Sequence, residues 1–276
     1  MRVHAITTGS VTVRSRQVRG SGPGPIRQLG PMIDREWVGP LPIWTWAIEH
    51  PEGVIVVDTG DTARTSEPGY FPRWHPYFRR AVRLDVKPHE EIGPQLAGLG
   101  IEIPDVRRVV VTHMHTDHIG GVHHFEGREI LVTPKELATA SGLSGRINGF
   151  LPQHLPDWFA PREIELVDEP FGPFERSMPL TDAGDVRVVP TPGHTPGHVS
   201  VVVDEGDRVL FLAGDTSYTE ALMLEGAVDG VSPNPKAARD SMERIAELCR
   251  RRPTVYLPTH DEESAKRLEE RRPASA

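Results

Sequence analysis

Within six residues, His113-Met114-His115-Thr116-Asp117-His118 offers three imidazoles and a carboxylate. Neutral imidazole nitrogens and carboxylate oxygens are the donors that borderline divalent ions take. The run follows Val109-Val110-Val111-Thr112, which reads as a strand. On an extended chain, residues two apart share a side, so His113 and His115 can converge on one ion. Asp117 and His118 come after the turn and can face a second. Gly120 and Gly121 then let the backbone turn tightly into the next element. A polar surface turn accounts for one histidine, but not for four ligand-type residues in this order.

Further donors stand downstream, each beside a strand-like run. His194 lies in the rigid turn Pro192-Gly193-His194-Thr195-Pro196-Gly197-His198, Asp215 in Ala213-Gly214-Asp215-Thr216, and His260 after Thr254–Leu257. Donors gathered from one edge of several strands are what a sheet-edge site requires. The strand-like runs are Ile43–Ile48, Val54–Asp58, Val106–Thr112, Glu129–Val132, Asp185–Val189, Val199–Val203, Arg208–Leu212 and Thr254–Leu257. Helical patterns alternate with them. One runs from Pro88 to Gly100, a capping box opens another at Thr133-Pro134-Lys135-Glu136, and Pro235 opens the longest. There Ala238, Met242, Ile245 and Cys249 form one apolar stripe, which makes the single cysteine a packing residue. The alternation indicates an α/β or α+β domain over residues 1–276, with helices covering sheet faces. Two excursions interrupt it, Gly20–Pro42 and the aromatic, arginine-rich Arg64–Val86; both are candidates for functional loops or a subunit contact. Val54–Thr62 faintly echoes Arg208–Thr216, as two related halves would.

Composition narrows the partners. The 276 residues are 37% hydrophobic, enough for a core without staples. The 26 Gly and 27 Pro are spread along the chain, pointing to many tight connections. A formal charge of −8 argues against a nucleic-acid partner, and one cysteine excludes a disulfide framework or a cysteine-rich metal site. No apolar run approaches ~18 residues, so no membrane span is expected, and the N-terminus lacks a leader-like stretch. A cytoplasmic location is the expectation.

The set His113, His115, Asp117, His118, His194, Asp215 and His260 resembles the metallo-β-lactamase-fold hydrolases, over nearly the whole chain from Asp58 to His260. The resemblance implies a four-layer αββα sandwich of two ββα halves, which accounts for the faint repeat. It implies two divalent ions: one on His113, His115 and His194, the other on Asp117, His118 and His260, with Asp215 shared. Zinc is the expected occupant, while manganese, iron or cobalt would also fit. Asp58 matches the family's aspartate after an early strand, where it would fix a ligand ring. His115 stands where oxygen-reducing diiron members carry glutamate, which argues against that branch. Asp215 in place of cysteine, and His118 after Asp117, suit the two-metal hydrolases.

Asp215-Thr216-Ser217-Tyr218 resembles the N-acyl-homoserine lactonases, whose tyrosine three residues past the shared aspartate reaches the lactone. Leu257-Pro258-Thr259-His260-Asp261 also resembles that group. The implied activity is quorum-quenching hydrolysis of a lactone, with Tyr218 hydrogen-bonding the reacting carbonyl and Asp117 delivering a proton to the departing ring oxygen. An acyl tail needs an apolar channel, for which Met32, Ile33, Trp37, Phe71, Trp74, Phe150 and Leu151 are candidates. Two alternatives remain: a hydrolase of another ester or thioester, glyoxalase II-like, and a non-catalytic metal-stabilised binding module. The expected partner is a small lactone or ester, and the aromatic-rich loops could support a homodimer. His123 and His124 read as exposed helix-start residues, and His198 as structural. His4, His50, His75, His89 and His154 show no ligand spacing.

Overall fold

The computed structural model describes residues 1–275, apart from the side chains at 24, 25 and 144. The chain divides into two compact units: Met1–Arg14 with Arg35–Glu163, and Ser15–Asp34 with Ile164–Ala276. Each has its own sheet.

The first unit's sheet has seven strands in the order β4-β1-β2-β3-β5-β6-β7. They are β1 (Arg2–Arg14), β2 (Trp37–Glu49), β3 (Val54–Val57), β4 (Val82–Asp85), β5 (Val106–Val110), β6 (Glu129–Val132) and β7 (Arg162–Glu163). β1 and β2 are antiparallel, whereas β3, β5, β6 and β7 run parallel. A parallel sheet buried on both faces calls for unbroken β-branched runs, and all four residues of β3, Val54-Ile55-Val56-Val57, are buried. Ile92 and Leu96 of the helix Ile92–Gly98 pack with Val56, Val109, Val111, Phe125 and Val132.

The second unit's sheet has the order β12-β11-β10-β9-β8. Its strands are β8 (Met178–Pro179), β9 (Val186–Pro190), β10 (Val199–Asp204), β11 (Val209–Gly214) and β12 (Thr254–Pro258). The helix Pro235–Arg251 is capped by Asn234 Oδ1, which accepts from the Ala237 N–H. It lays Ala238, Met242, Ile245 and Leu248 against Val202, Phe211 and Tyr256, with Cys249 packed at the margin. Burying Met242, Ile245 or Leu248 stabilises the fold by roughly 1.5–3 kcal/mol each. Burial pushes the Cys249 thiol up to about 12, as a packing residue requires.

The expected strands and helices are all present. Gly20–Pro42, expected as a loop, instead contains the helix Gly24–Ile33 and the first part of β2. Gly30 and Pro31 inside that helix hide it from propensity reasoning. Arg64–Val86 likewise holds a 3₁₀ turn, Ala63–Ser66, the short helix Pro76–Arg80 and β4. The two echoing segments end alike: Gly60 (φ 67°), shortly after β3, and Gly214 (φ 55°), the last residue of β11, each take a left-handed turn. That backbone is cheap only for glycine. It places Asp61 and Asp215 at matching positions in their own units.

Candidate metal centre

In the first unit, the ligand-rich run leaves β5 and enters the one-turn helix Thr116–Ile119, with His115 as its N-cap residue. Asp58 organises it. The Asp58 N–H donates to the Val110 carbonyl at 2.8 Å. Its carboxylate accepts from the Thr112 N–H (2.7 Å), the Thr112 hydroxyl (2.8 Å) and His118 Nδ1–H (2.8 Å). A carboxylate on Nδ1 fixes the tautomer, so His118 presents Nε2 as the ligand nitrogen. Thr112 Oγ1, already donating to Asp58, can accept from His113 Nδ1–H at 3.2 Å. The His113 lone pair is then on Nε2, which meets His115 Nδ1 at 2.9 Å. Tetrahedral zinc bonds of ~2.0–2.1 Å separate neighbouring ligands by about 3.3 Å, so this pair needs only a small opening to share an ion. Asp117 is half-buried beside them.

Three residues that sequence reasoning missed hold this run. Glu136, fully buried, accepts from the Met114 N–H at 3.1 Å. Thr59 N–H donates to the His118 carbonyl at 2.7 Å. Asp61 accepts from the Thr116 hydroxyl, and burial pushes its carboxyl up to about 7 against that bond. Gly120 and Gly121 serve close approach rather than a left-handed turn. A Cβ on Gly120 would meet Asp61 Oδ1 at 2.4 Å, and one on Gly121 the Thr59 carbonyl oxygen at 2.2 Å.

In the second unit, Asp215 Oδ2 lies 3.4 Å from both His194 Nε2 and His260 Nε2. Asp229, also missed, accepts from His194 Nδ1–H at 3.2 Å and from Ser232 Oγ–H, Ser232 N–H and Val231 N–H. Burial alone would raise the Asp229 carboxyl, but His194 and these donors outweigh it and hold it below the usual range. His198 is a structural residue here: its Nε2 accepts the Asp215 N–H at 3.0 Å and its Nδ1 meets Thr191 Oγ1 at 2.9 Å. Tyr218 is buried, stacks on the His260 ring at 5.4 Å and accepts from Gln17 Nε2–H at 2.9 Å. Asp229 and Gln17 left no trace in the sequence reading, because neither adjoins a ligand along the chain.

The donor chemistry fits divalent ions. His118 and His194 each have Nδ1 tied to a buried carboxylate, which leaves Nε2 to bind. Removing such a partner typically costs 10–100-fold in metal affinity. Asp58→Asn should weaken metal binding by about that factor while the chain stays folded, as equilibrium dialysis with a chromophoric chelator would read out. Unchanged affinity would show that Thr112 alone suffices.

The expected channel residues are spread out. Phe150 is buried, with its ring 5.0 Å from that of His115. Together with Leu151, Tyr70, Met114 and Thr116 it lines a cleft of about 390 Å³ in the first unit. Phe71 stacks on Phe78, and Trp74 is exposed. Trp37 lies between the guanidinium groups of Arg14 and Arg83, whose centres are 3.6 and 4.2 Å from its ring. Met32 is half-buried in the helix Gly24–Ile33. Among the described residues, no helix is long and apolar enough to cross a membrane.

Comparison with known proteins identifies the family. The metallo-β-lactamase superfamily profile matches residues 38–260. A probable metallo-hydrolase of Mycobacterium tuberculosis is 32% identical over 223 residues, 74% of this chain and 69% of that one. The N-acyl homoserine lactonase AiiA of Bacillus thuringiensis subsp. kurstaki is 27% identical over 229 residues, 82% and 84% of the two chains. Among solved structures, an N-acyl homoserine lactone hydrolase with N-hexanoyl-L-homoserine bound at its catalytic metal centre superposes with a TM-score of 0.77 at 22% identity, covering 96% of this chain and 94% of that one. AidC, a dizinc quorum-quenching lactonase, superposes with a TM-score of 0.63 at 15% identity, covering 94% and 86%. The chain belongs to the metallo-β-lactamase superfamily, has its fold, and is a hydrolase.

Proposed function

We propose that this hydrolase opens lactone rings, with N-acyl-homoserine lactones as the preferred class, and that its two histidine clusters together hold two divalent ions, zinc in the first instance. His113, His115 and His194 would hold one ion, Asp117, His118 and His260 the other, and Asp215 both. When bound, the ions supply an activated water at neutral pH and electrophilic pull on the carbonyl. The observation that carries the lactone reading is Tyr218, three residues past Asp215, stacked on His260 and oriented by Gln17. The Tyr218 phenol is the group we assign to donate its O–H to the lactone carbonyl oxygen as negative charge develops there. Asp117 would take a proton from the attacking water and pass it to the departing ring oxygen, so that water adds across the C–O bond to give an acid and an alcohol. The likeness to N-acyl homoserine lactonases supports the same substrate class.

The cleft beside Phe150 and Leu151 is our candidate for the acyl chain. Its volume of about 390 Å³ lies within the range of small-molecule sites. Catalytic efficiency should therefore rise with acyl length from butanoyl to decanoyl homoserine lactone. Leu151→Trp should lower efficiency on the decanoyl substrate roughly tenfold or more relative to the butanoyl one, since each methylene lost from an apolar pocket costs ~10-fold or more. The deciding assay sets this lactone series beside S-lactoylglutathione on metal-reconstituted protein. Faster thioester cleavage, or a flat response to acyl length, would favour the glyoxalase II-like reading instead.

A further inference from the structure

His123 and His124 take no part in the proposed centre, yet they do not simply face solvent. Both sit in the 3₁₀ turn Gly120–Phe125, and both aim Nε2 at one carboxylate oxygen, Glu91 Oε2, at 3.1 and 2.7 Å. Their rings lie 4.2 Å apart. The other oxygen of Glu91 is committed, accepting from the Ala63 N–H at 2.8 Å and the Thr62 hydroxyl at 3.1 Å. Glu91 is thus a buried, anchored carboxylate with one oxygen turned toward two imidazoles.

The tautomer of His123 sharpens the point. Its Nδ1 is 3.1 Å from the Gly120 carbonyl oxygen, which can only accept, so Nδ1 carries a proton. In the neutral ring Nε2 is then a lone-pair nitrogen facing a carboxylate oxygen. Two acceptors at that distance call for a cation between them, either a proton or a metal ion. Burial keeps the His124 ring from protonating readily, Glu91 opposing that effect. The His124 ring is also seated against Gly93, where a Cβ would meet Nδ1 at 2.5 Å. Any side chain at position 93 would displace this ring.

We propose that Glu91, His123 and His124 form a further divalent transition-metal site, separate from the catalytic ligands, that takes zinc or copper(II). Two imidazoles and a carboxylate are a sufficient protein set for such an ion, with solvent completing the shell. The three donor atoms all lie within 4.8 Å of one another. Tetrahedral zinc needs neighbouring ligands about 3.3 Å apart, so His123 and His124 must draw back from the carboxylate oxygen by about 0.2 and 0.6 Å. His123 is the more exposed member, at 41% of its side-chain surface, which gives the ion a route in. The ion would tie two walls of the cleft together, because Thr62, Gly120 and His123 all line it. It would act as a clamp rather than as a catalyst.

The test uses the metal-reconstituted holoenzyme, with its metal content measured first, and reads each variant against the parent so that zinc taken up by the catalytic centre cancels. Zinc titrated by calorimetry should bind as one equivalent beyond that content, and the melting temperature should rise with added zinc. Copper(II) bound at the same place should show hyperfine coupling to two imidazole nitrogens by electron paramagnetic resonance. Glu91→Gln and, separately, His123→Ala should lose the added equivalent and the zinc-dependent rise in melting temperature. Both should retain the purified metal content. His123→Ala removes a partly exposed ring, so it covers the case in which Glu91→Gln disturbs folding. Absence of an additional equivalent at millimolar zinc would overturn the proposal and leave a proton as the cation in the cluster. So would an additional equivalent that both variants retain.

Discussion

Asp215→Ala is expected to yield a folded protein that has lost bound metal and at least about a thousandfold in kcat/KM. Asp215 follows the strand β11, just past its left-handed last residue Gly214, and its N–H is held by His198. One oxygen, Oδ2, stands at 3.4 Å from both His194 Nε2 and His260 Nε2. Those imidazoles are assigned to different ions, so Asp215 is the carboxylate placed to serve both. Removing it would deprive each ion of an anionic donor and leave the repulsion between two cations without a shared negative charge to offset it. Since activation of water and polarisation of the carbonyl both depend on bound ions, the rate should fall with the metal. Removal of a single preorganised stabilising group already costs about 10²–10³ in kcat, and here the loss is compounded. Elemental analysis of protein purified without chelator should approach two metals per chain for the parent and clearly fewer for the variant. A variant that keeps two ions and most of its activity would overturn the shared-carboxylate assignment.

What could be read from the chain and what could not divide along physical lines. His113 to His118 were legible because a strand's end and a one-turn helix bring consecutive residues to one place. His194, Asp215 and His260 were legible because each adjoins a β-branched run. Asp58 followed from the family resemblance, which expects an aspartate after an early strand. Gln17, Asp229 and Glu136 act across the fold: Gln17 meets Tyr218 from 201 positions away, and Asp229 reaches His194 across 35. Nothing in local periodicity encodes such a pairing. Glu136 was read as half of a capping box, and Thr133 does cap the helix, accepting from the Glu136 N–H at 3.2 Å. Its carboxylate meanwhile serves Met114, inside the ligand run. β1 escaped notice because Thr7, Thr8, Gly9 and Ser10 interrupt its apolar alternation, although it pairs with β2 from Arg2↔Glu49 to Arg14↔Trp37. His123 and His124 were read as solvent-facing because their partner, Glu91, is 32 positions upstream of the nearer one.

Tyr218→Phe separates chemistry from metal binding. The seven assigned ligands satisfy both ions without the phenol, so the variant should keep its metal content. The ring should also keep its place, because its stacking on His260 needs no hydroxyl. What is lost is one O–H, normally protonated at neutral pH and oriented by Gln17. If it hydrogen-bonds the carbonyl oxygen mainly as charge develops, kcat and kcat/KM should fall together. The expected loss is about tenfold to a few hundredfold, since one oxyanion donor is worth ~2–4 kcal/mol and the metal shares the task. If the hydroxyl only holds the ground-state substrate, KM should rise with kcat nearly constant. Gln17→Leu offers an internal check, since it would leave the phenol in place but remove the donor that orients it. Its loss should be smaller than that of Tyr218→Phe and of the same kind, a fall in kcat rather than a rise in KM. Unchanged kinetics for Tyr218→Phe on several lactones would make the ring a packing residue and remove the observation on which the lactone reading rests.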